Sequence, residues 1–241
     1  MSFTNLSRIH DVALQNLPVV LCLDRAGVVG EDGATHHGMF DLAAYRAIPG
    51  CVVAAPADST ELKMLMYSAL HHEGGPYIIR YPRGGAEGVP YKDAPFTEMV
   101  PGKGEVLRSG EKVAIVAIGH CSMRALGAAD MIEAKLGFVP TVIDIRFLKP
   151  MDEALVLETA RSHGYVVTVE DGCLTGGLYG AVTELLARHN LHPVITGLGI
   201  PDNFIEQDTQ KAQRAACKID EVGIAQTVEN IFSKKVLENK E

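Results

Sequence analysis

The sequence has little from which a disulfide framework or a zinc site could be built. It contains 5 cysteines among 241 residues, they lie far apart, and no two form a Cys-x-x-Cys pair. An odd number of scattered thiols is typical of proteins from a reducing compartment. Residues 1–15 also contain no apolar segment of the length found in signal peptides. We therefore expect a cytoplasmic protein.

Long apolar runs and clusters of positive charge are missing as well. The longest apolar stretches, such as residues 113–118, are far shorter than the roughly 20 residues that cross a bilayer. The formal net charge is -8, and basic residues cluster only in a short tail around Lys234 and Lys235. Because nucleic-acid phosphates are bound by clustered Lys and Arg, we expect neither a nucleic acid nor a membrane as a partner.

What the sequence does contain is a repeated alternation of strand and helix patterns, with 47% apolar residues to form cores. Such alternation is typical of mostly parallel α/β structure. The first array has predicted strands at residues 18–23, 51–55 and 77–79. Its helix follows a capping box in which Asp58 is the N-cap and Glu61 reaches back. The second array has predicted strands at residues 112–118, 140–145, 165–170 and 193–198, helices at residues 122–135, 151–161 and 178–189, and one or two more after residue 207.

The two arrays predict two α/β domains, each built on a mostly parallel sheet. We expect the first domain at residues 1–95, a linker at 96–104 and the second domain at 105–241, because the periodic patterns dissolve between residues 84 and 103. Three parallel strands make a small open sheet with an apolar edge. The first array therefore looks truncated, and its missing strands are expected in another piece of chain.

The loops after the three strands of the first array carry the polar residues that are candidates for function. Loops at the carboxyl ends of parallel strands open on one side of the sheet. Guanidinium groups there could bind a phosphate or carboxylate, and histidine could move a proton near neutral pH. The residues alone also allow a simple ion pair between Arg25 and Asp32 with solvated histidines. The candidates are Arg25, Asp32, His36, His37, Arg80 and Arg83.

Three motifs give this sequence a specific resemblance. The run from Asp24-Arg25-Ala26-Gly27 through Gly30-Glu31-Asp32-Gly33 to Thr35-His36-His37-Gly38 looks like the substrate loop of deoxyxylulose-phosphate synthases. The Arg80-Tyr81-Pro82-Arg83-Gly84 and Phe147-Leu148-Lys149-Pro150 segments match that family in order and spacing. The resemblance extends from about residue 10 to the last helix. It implies a truncated thiamine-diphosphate pyrimidine-binding domain, followed by a transketolase C-terminal-like domain.

The resemblance also implies an activity and roles for particular residues. Enzymes of this family use thiamine diphosphate and Mg²⁺ to join pyruvate to glyceraldehyde 3-phosphate with loss of carbon dioxide. By similarity, Arg25 and Arg83 would hold the phosphate of the aldehyde, and Asp32 would line the same pocket. His36 would be the catalytic residue, placed near the reacting carbons. No metal-binding or cofactor-binding residue is assigned.

Parts of the family pattern do not occur in this sequence. The Gly-Asp-Gly motif of the diphosphate site and the Ala-Glu-Gln-His segment, whose Glu activates the cofactor, are both missing. We therefore expect this chain alone to be inactive and not to bind the cofactor. We also expect it to form a homodimer or to associate with a separate N-terminal portion. Two alternatives stay open, namely a non-catalytic assembly or binding module, and a chain resembling the β subunit of a 2-oxoacid dehydrogenase.

Overall fold

The computed structural model describes residues 8–84 and 96–238. The first array begins with a π-helical turn, Arg8–Ala13, and contains three strands and two helices. Part of the predicted linker, residues 85–95, lies outside the described residues. The elements of the first array are β1 (Val20–Leu23), the 3₁₀ turn Gly30–Asp32, α1 (Asp41–Arg46), β2 (Val52–Ala54), α2 (Ser59–Leu70) and β3 (Tyr77–Arg80).

The second array contains six strands and five helices among the described residues. Its first part consists of β4 (Glu105–Arg108), β5 (Val113–Ala117), α3 (Cys121–Leu136), β6 (Thr141–Asp144), β7 (Phe147–Lys149) and α4 (Glu153–Ser162). Its second part consists of β8 (Tyr165–Cys173), α5 (Leu178–Arg188), β9 (Val194–Ile200), α6 (Gln210–Ala216) and α7 (Glu221–Glu238). All seven predicted strands and the predicted helices are present, with bounds that differ by a few residues.

The strands form two sheets, and the prediction of a mostly parallel α/β fold is confirmed. The second sheet has the order β4-β6-β5-β8-β9, in which only β4 is antiparallel to its neighbour. The first sheet has the order β1-β3-β2-β7, in which β1, β3 and β2 are parallel. Among the described residues, no strand pairs with the outer edge of β1.

The fourth strand of the first sheet was not predicted, and it comes from the second array. Strand β7 pairs antiparallel with β2, with Val53 opposite Lys149 and Ala54 opposite Phe147. The expectation of a three-stranded first sheet was therefore wrong, because the edge beside β2 is covered from within this chain. Strand β7 begins only three residues after β6 ends and stops directly before Pro150, so the sequence shows no separate apolar run for it.

The two arrays share their hydrophobic cores. Phe147 of β7 is fully buried among Val52, Leu65 and Ile79 of the first array. Met99, within the predicted linker, is buried in the same cluster, and its amide donates to Ser68 Oγ at 2.7 Å. A second cluster combines buried residues of α1, β2 and β3 with residues of β5, β6 and α5. The arrays therefore pack into one continuous interior.

Polar contacts cross the same boundary near the start of α2. Asp58 is the N-cap as predicted and accepts from the amide of Glu61 at 2.9 Å, while Glu61 reaches back to the amide of Ala57, one residue before the N-cap, at 2.8 Å. The second Glu61 oxygen accepts from Arg146 Nε of the second array at 2.7 Å. Asp144 lies beside this pair, and burial together with the charge of Glu61 raises its pKa well above its usual range. A carboxyl held in its protonated form lets the two acids lie side by side.

In the part of the chain that the structure describes, no helix is both long enough and apolar enough to cross a bilayer.

The packing of Phe147 yields a prediction about stability. We expect Phe147→Ala to lower the free energy of unfolding by about 3–5 kcal/mol, because it removes a large buried ring and leaves a cavity. Urea denaturation followed by circular dichroism measures this change. The matched control is Phe204→Ala, since that ring is 69% exposed, and it should change stability by less than about 0.5 kcal/mol. Equal stabilities of the two variants would contradict the role of β7.

Candidate active-site cleft

A cavity lies between the two arrays, beyond the carboxyl ends of their strands. It has a volume of about 440 Å³. The loops after β2 and β3 form one wall, from Pro56 to Ser59 and from Tyr81 to Gly84. The start of α3 and one side of α6 form the other wall. We call this cavity the interarray cleft. Its position is the one where open α/β sheets place their ligands.

The loop at residues 24–38 leaves β1 beside this cleft and folds back on itself. The amide of Gly27 donates to Gly38 O at 3.0 Å, and the amide of Gly38 donates to Gly27 O at 2.9 Å. Gly27 has a φ of 74°, and a Cβ at this position would lie 2.0 Å from Cγ of Asp171. Only glycine permits both this backbone conformation and this approach.

The same loop is held by side chains of the second array. The amide of Val28 donates to Asp171 Oδ1 at 3.0 Å. Gln213 of α6 accepts from the amide of Gly30 at 2.8 Å and donates to Gly30 O at 3.1 Å. Gln210 donates to Val28 O at 2.8 Å. Buried backbone groups of the loop thus receive the partners that they need.

His37 makes a further attachment between the loop and the second array. Its Nδ1 accepts from the amide of Val29 at 3.1 Å, so the ring proton lies on Nε2 and is donated to Ile205 O at 3.1 Å. Both ring nitrogens are therefore engaged in structural hydrogen bonds. His37, one of the candidate residues, therefore positions the loop.

Two of the predicted substrate-binding residues come together. Arg83 Nη1 lies 2.9 Å from Asp32 Oδ2 and 3.9 Å from Glu31 Oε2. It also donates to Val29 O at 3.0 Å. The Arg83 side chain is 43% exposed, and partly exposed ion pairs of this kind contribute little to stability. The guanidinium is thus oriented, yet it keeps donors that a ligand can reach.

Arg25 and His36 lie in exposed parts of the loop. Arg25 has a φ of 57°, and its Nη1 donates to the neighbouring Asp24 at 2.7 Å. His36 Nδ1 lies 2.9 Å from Thr35 Oγ1. The contacts of the described residues do not join either side chain to the pair of Arg83 and Asp32. The ion pair between Arg25 and Asp32 that the sequence allowed is not formed.

Arg80 was also a candidate, but its contacts are those of a structural residue. It is 3% exposed, its Nε donates to Asp41 Oδ2 at 2.8 Å, and its Nη2 donates to Asp171 O at 2.7 Å. Burial opposes the charge of Arg80, while the Asp41 carboxylate raises its pKa and prevails. The ion pair fixes the end of β3 to the start of α1, and the hydrogen bond to Asp171 O fixes it to β8.

A buried carboxylate, Asp171, lies where the loop, the cleft and the second array meet. Its Oδ2 accepts from His120 Nε2 at 2.8 Å and lies 3.9 Å from Arg214 Nε. Burial opposes ionisation of Asp171, but the hydrogen bond and charge of His120, with Arg80 and Arg214, lower its pKa. Burial lowers the pKa of His120. At neutral pH a neutral imidazole therefore donates to a carboxylate.

Two buried titratable residues near Asp171 have structural roles. Glu170 accepts from the amides of Leu178 at 2.7 Å and Tyr179 at 2.9 Å, so it caps helix α5. Burial raises the pKa of Glu170 to about 7. Burial likewise raises the pKa of the Cys121 thiol to about 12, which makes it an unreactive core residue.

Sequence reasoning missed the contribution of the second array to the cleft. His120, Arg124, Gln210 and Arg214 line it, and Gln213 holds the loop beside it. These residues lie about a hundred positions or more beyond most of the loop, so only their tertiary contacts associate them with it. Asp171 directly follows the predicted strand at residues 165–170, and this position was the available signal; in the structure it is buried within β8. Among the described residues, no group of three or more His, Cys, Asp or Glu is placed to hold a metal ion.

The contact between Gln213 and the loop yields a testable prediction. We expect Gln213→Ala to speed hydrogen exchange at the Gly30 amide, because the buried group loses its acceptor at a cost of about 1–3 kcal/mol. NMR exchange rates measure this effect, with the core amide of Ile115 reporting global unfolding. Gln226→Ala, at an exposed position of α7, is the matched control. Unchanged Gly30 exchange in Gln213→Ala would show that the loop does not depend on α6.

Comparison with known proteins identifies relatives over both arrays. Residues 1–87 match the pyrimidine-binding domain of transketolase, and residues 102–231 match the transketolase C-terminal domain. The 1-deoxy-D-xylulose-5-phosphate synthase of Bacteroides thetaiotaomicron is 46% identical over 88% of this chain and 33% of its own length. The 1-deoxy-D-xylulose-5-phosphate synthase 1 of Geobacter sulfurreducens is 47% identical over 94% of this chain and 35% of its own length. The chain thus spans about a third of the length of these curated relatives.

Transketolases are also found among the solved structures that resemble this chain. A split-gene transketolase, described as an inactive β4 tetramer, is similar with a TM-score of 0.82 and 32% identity, over 93% of this chain and 70% of that one. A transketolase mutant from Pichia stipitis shares the fold with a TM-score of 0.71 and 21% identity, over 96% and 32% of the two chains. The chain therefore belongs to the transketolase family and corresponds to the C-terminal portion of 1-deoxy-D-xylulose-5-phosphate synthases.

Proposed function

We propose that this chain is the acceptor-substrate part of a 1-deoxy-D-xylulose-5-phosphate synthase. In this proposal the whole enzyme joins pyruvate to glyceraldehyde 3-phosphate with loss of carbon dioxide. The observation that carries the proposal is the pair of Arg83 and Asp32, 2.9 Å apart beside the cleft. They belong to two motifs that resemble the family, and the fold brings these motifs together at the carboxyl ends of β1 and β3.

The proposed roles of the four site residues follow from their chemistry. Arg83 and Arg25 are half-exposed cations that bind the phosphate of the aldehyde. Asp32 orients Arg83 and lines the same pocket. His36 is exposed in the loop, where an imidazole can hold or move a proton at the substrate.

The family implies thiamine diphosphate and a metal ion in the intact enzyme. We propose that this chain does not hold them alone, because the Gly-Asp-Gly motif of the diphosphate site and the Ala-Glu-Gln-His segment do not occur in its sequence. The cofactor is then held with a separate N-terminal portion. Similarity to a chain from a split-gene transketolase supports an enzyme assembled from two chains. The unpaired cysteines agree with assembly in the cytoplasm.

Calorimetry tests this arrangement directly. Thiamine diphosphate and Mg²⁺ are titrated into this chain alone, and then into its mixture with a separately produced N-terminal portion of a related synthase. We expect binding and product formation only in the mixture, because each part supplies residues that the other lacks. Tight binding by this chain alone would contradict the proposed division of the site. A mixture that forms a complex but no product would contradict the proposed reaction.

The role of Arg83 is tested in the same reconstituted enzyme. We expect Arg83→Ala to raise KM for glyceraldehyde 3-phosphate about ten- to a hundredfold, since a charged hydrogen bond contributes about 1.5–3 kcal/mol. KM for pyruvate, which has no phosphate, should change little. Arg188→Ala is the control, because that exposed arginine lies on α5 and pairs with Glu153. Equal KM values for the aldehyde in both variants would remove Arg83 from the site.

A second candidate function is a non-catalytic assembly module. The observation that favours it is the description of the similar split-gene transketolase chain as an inactive β4 tetramer. Under this alternative the chain associates with copies of itself through surfaces such as the unpaired edge of β1. Size measurement before and after addition of the N-terminal portion separates the two functions, because a catalytic part exchanges self-association for a mixed complex. The 2-oxoacid dehydrogenase alternative gains no support from the relatives described above.

A further inference from the structure

Two buried carboxyl groups, one from each array, meet where the arrays join. Glu61 of α2 is 7% exposed, and Asp144, the last residue of β6, is fully buried. Neither residue belongs to the loop of residues 24–38 or has a role in the proposed reaction. We propose that Glu61 and Asp144 share one proton, and that this proton holds the two walls of the interarray cleft together until rising pH removes it.

Each of the two carboxyl groups is hydrogen-bonded to one wall of the cleft. On the first array, Glu61 Oε2 accepts from the amide of Ala57 at 2.8 Å, and Ala57 lines the cleft. On the second array, Asp144 Oδ1 accepts from Ser122 Oγ at 2.9 Å. Ser122 lies in the first turn of α3, next to Met123, which lines the other wall. A bond between the two carboxyl groups therefore connects the two walls.

The two oxygens of Asp144 differ in their partners. Oδ1 accepts from Ser122 and also, at 3.1 Å, from the amide of Arg146. Oδ2 is buried and has no hydrogen-bond donor in the described part of the chain, although the Glu61 carboxyl lies within hydrogen-bonding reach of Asp144. Two ionised carboxylates can only accept, so they cannot bond to each other. A proton on Oδ2 makes Asp144 the donor and Glu61 the acceptor, and the buried oxygen is then satisfied.

The charges around the pair also favour one retained proton. Arg146 Nε donates to Glu61 Oε1 at 2.7 Å, and its Nη2 donates to Glu105 of β4. Helix α3 contributes the uncharged Ser122. In these contacts one guanidinium faces the carboxyl groups of Glu61, Glu105 and Asp144, so full ionisation would leave excess negative charge in a buried position. Burial, and then the charge of Glu61, accordingly raises the pKa of Asp144 well above its usual range.

The raised pKa of Asp144 determines how the contact responds to pH. An unfolded chain loses this proton in the ordinary range of aspartic acid, whereas the folded pair keeps it. The contribution to stability is therefore complete below the ordinary pKa and is lost as the pH rises through the raised pKa of the folded pair. Above that pH the two carboxylates repel each other. The repulsion acts on the hydrogen bonds to Ala57 and Ser122 and loosens both walls of the cleft.

The test uses this chain alone and does not depend on the proposed synthase reaction. NMR measures hydrogen exchange at the Ala57 amide from about pH 5 to about pH 9, relative to an unfolded peptide, with the core amide of Ile115 reporting global unfolding. We expect the protection of Ala57 to fall about ten- to a hundredfold as the pH rises. In Asp144→Asn the side-chain amide donates to Glu61 at every pH, so the protection should stay constant.

A matched control removes a neighbouring carboxylate and leaves the shared proton in place. Glu105→Gln changes a side chain that is 48% exposed and also contacts Arg146, and it should retain the wild-type pH dependence at Ala57. The carboxyl ¹³C shift of Asp144 in the wild type gives a second measurement that needs no variant, and it should titrate only above the ordinary range. Titration within that range, or equal pH dependence of Ala57 exchange in the wild type and Asp144→Asn, would overturn the inference.

Discussion

The geometry of the candidate site depends on the contacts that the buried carboxylate of Asp171 makes. This carboxylate accepts from the amide of Val28 in the loop and from His120 at the start of α3, and it lies close to Arg214 of α6. A buried carboxylate is costly unless it is surrounded by donors. The loop, α3 and α6 provide those donors together. Their contacts with Asp171 therefore hold the loop, α3 and α6 around the cleft.

This constraint explains why the two arrays form a single unit. Asp171 lies so close to the loop that position 27 must be glycine. Gln213 makes a second attachment between the arrays by accepting from the amide of Gly30. At the opposite side of the first sheet, β7 inserts Phe147 into the core of the first array. The loop is thus supported by residues far away in sequence. A change in the second array can reach the proposed substrate residues through these contacts.

The sequence predicted the parallel α/β fold because strand and helix periodicities were long and regular. It also placed the capping box of Asp58 and Glu61, whose geometry is local. It missed β7, which follows β6 so closely that no separate apolar run is visible, and α1, whose six residues are too few for a helical period. It could suggest Arg83 and Asp32 from motifs, but not their 2.9 Å contact. The attachments of Gln213 and His120 are tertiary, and no local pattern encodes them.

Hydrogen bonds within this chain already order the loop, so association with another chain would not have to order it. Ordering a flexible loop during association would subtract from the affinity, since each fixed residue loses conformational freedom. Here Gln210, Gln213 and His37 supply partners to the loop backbone within the chain. Arg83 stays oriented by Asp32 while 43% of its side chain remains exposed. The second array thus holds the loop in place and leaves the Arg83 guanidinium partly exposed to solvent.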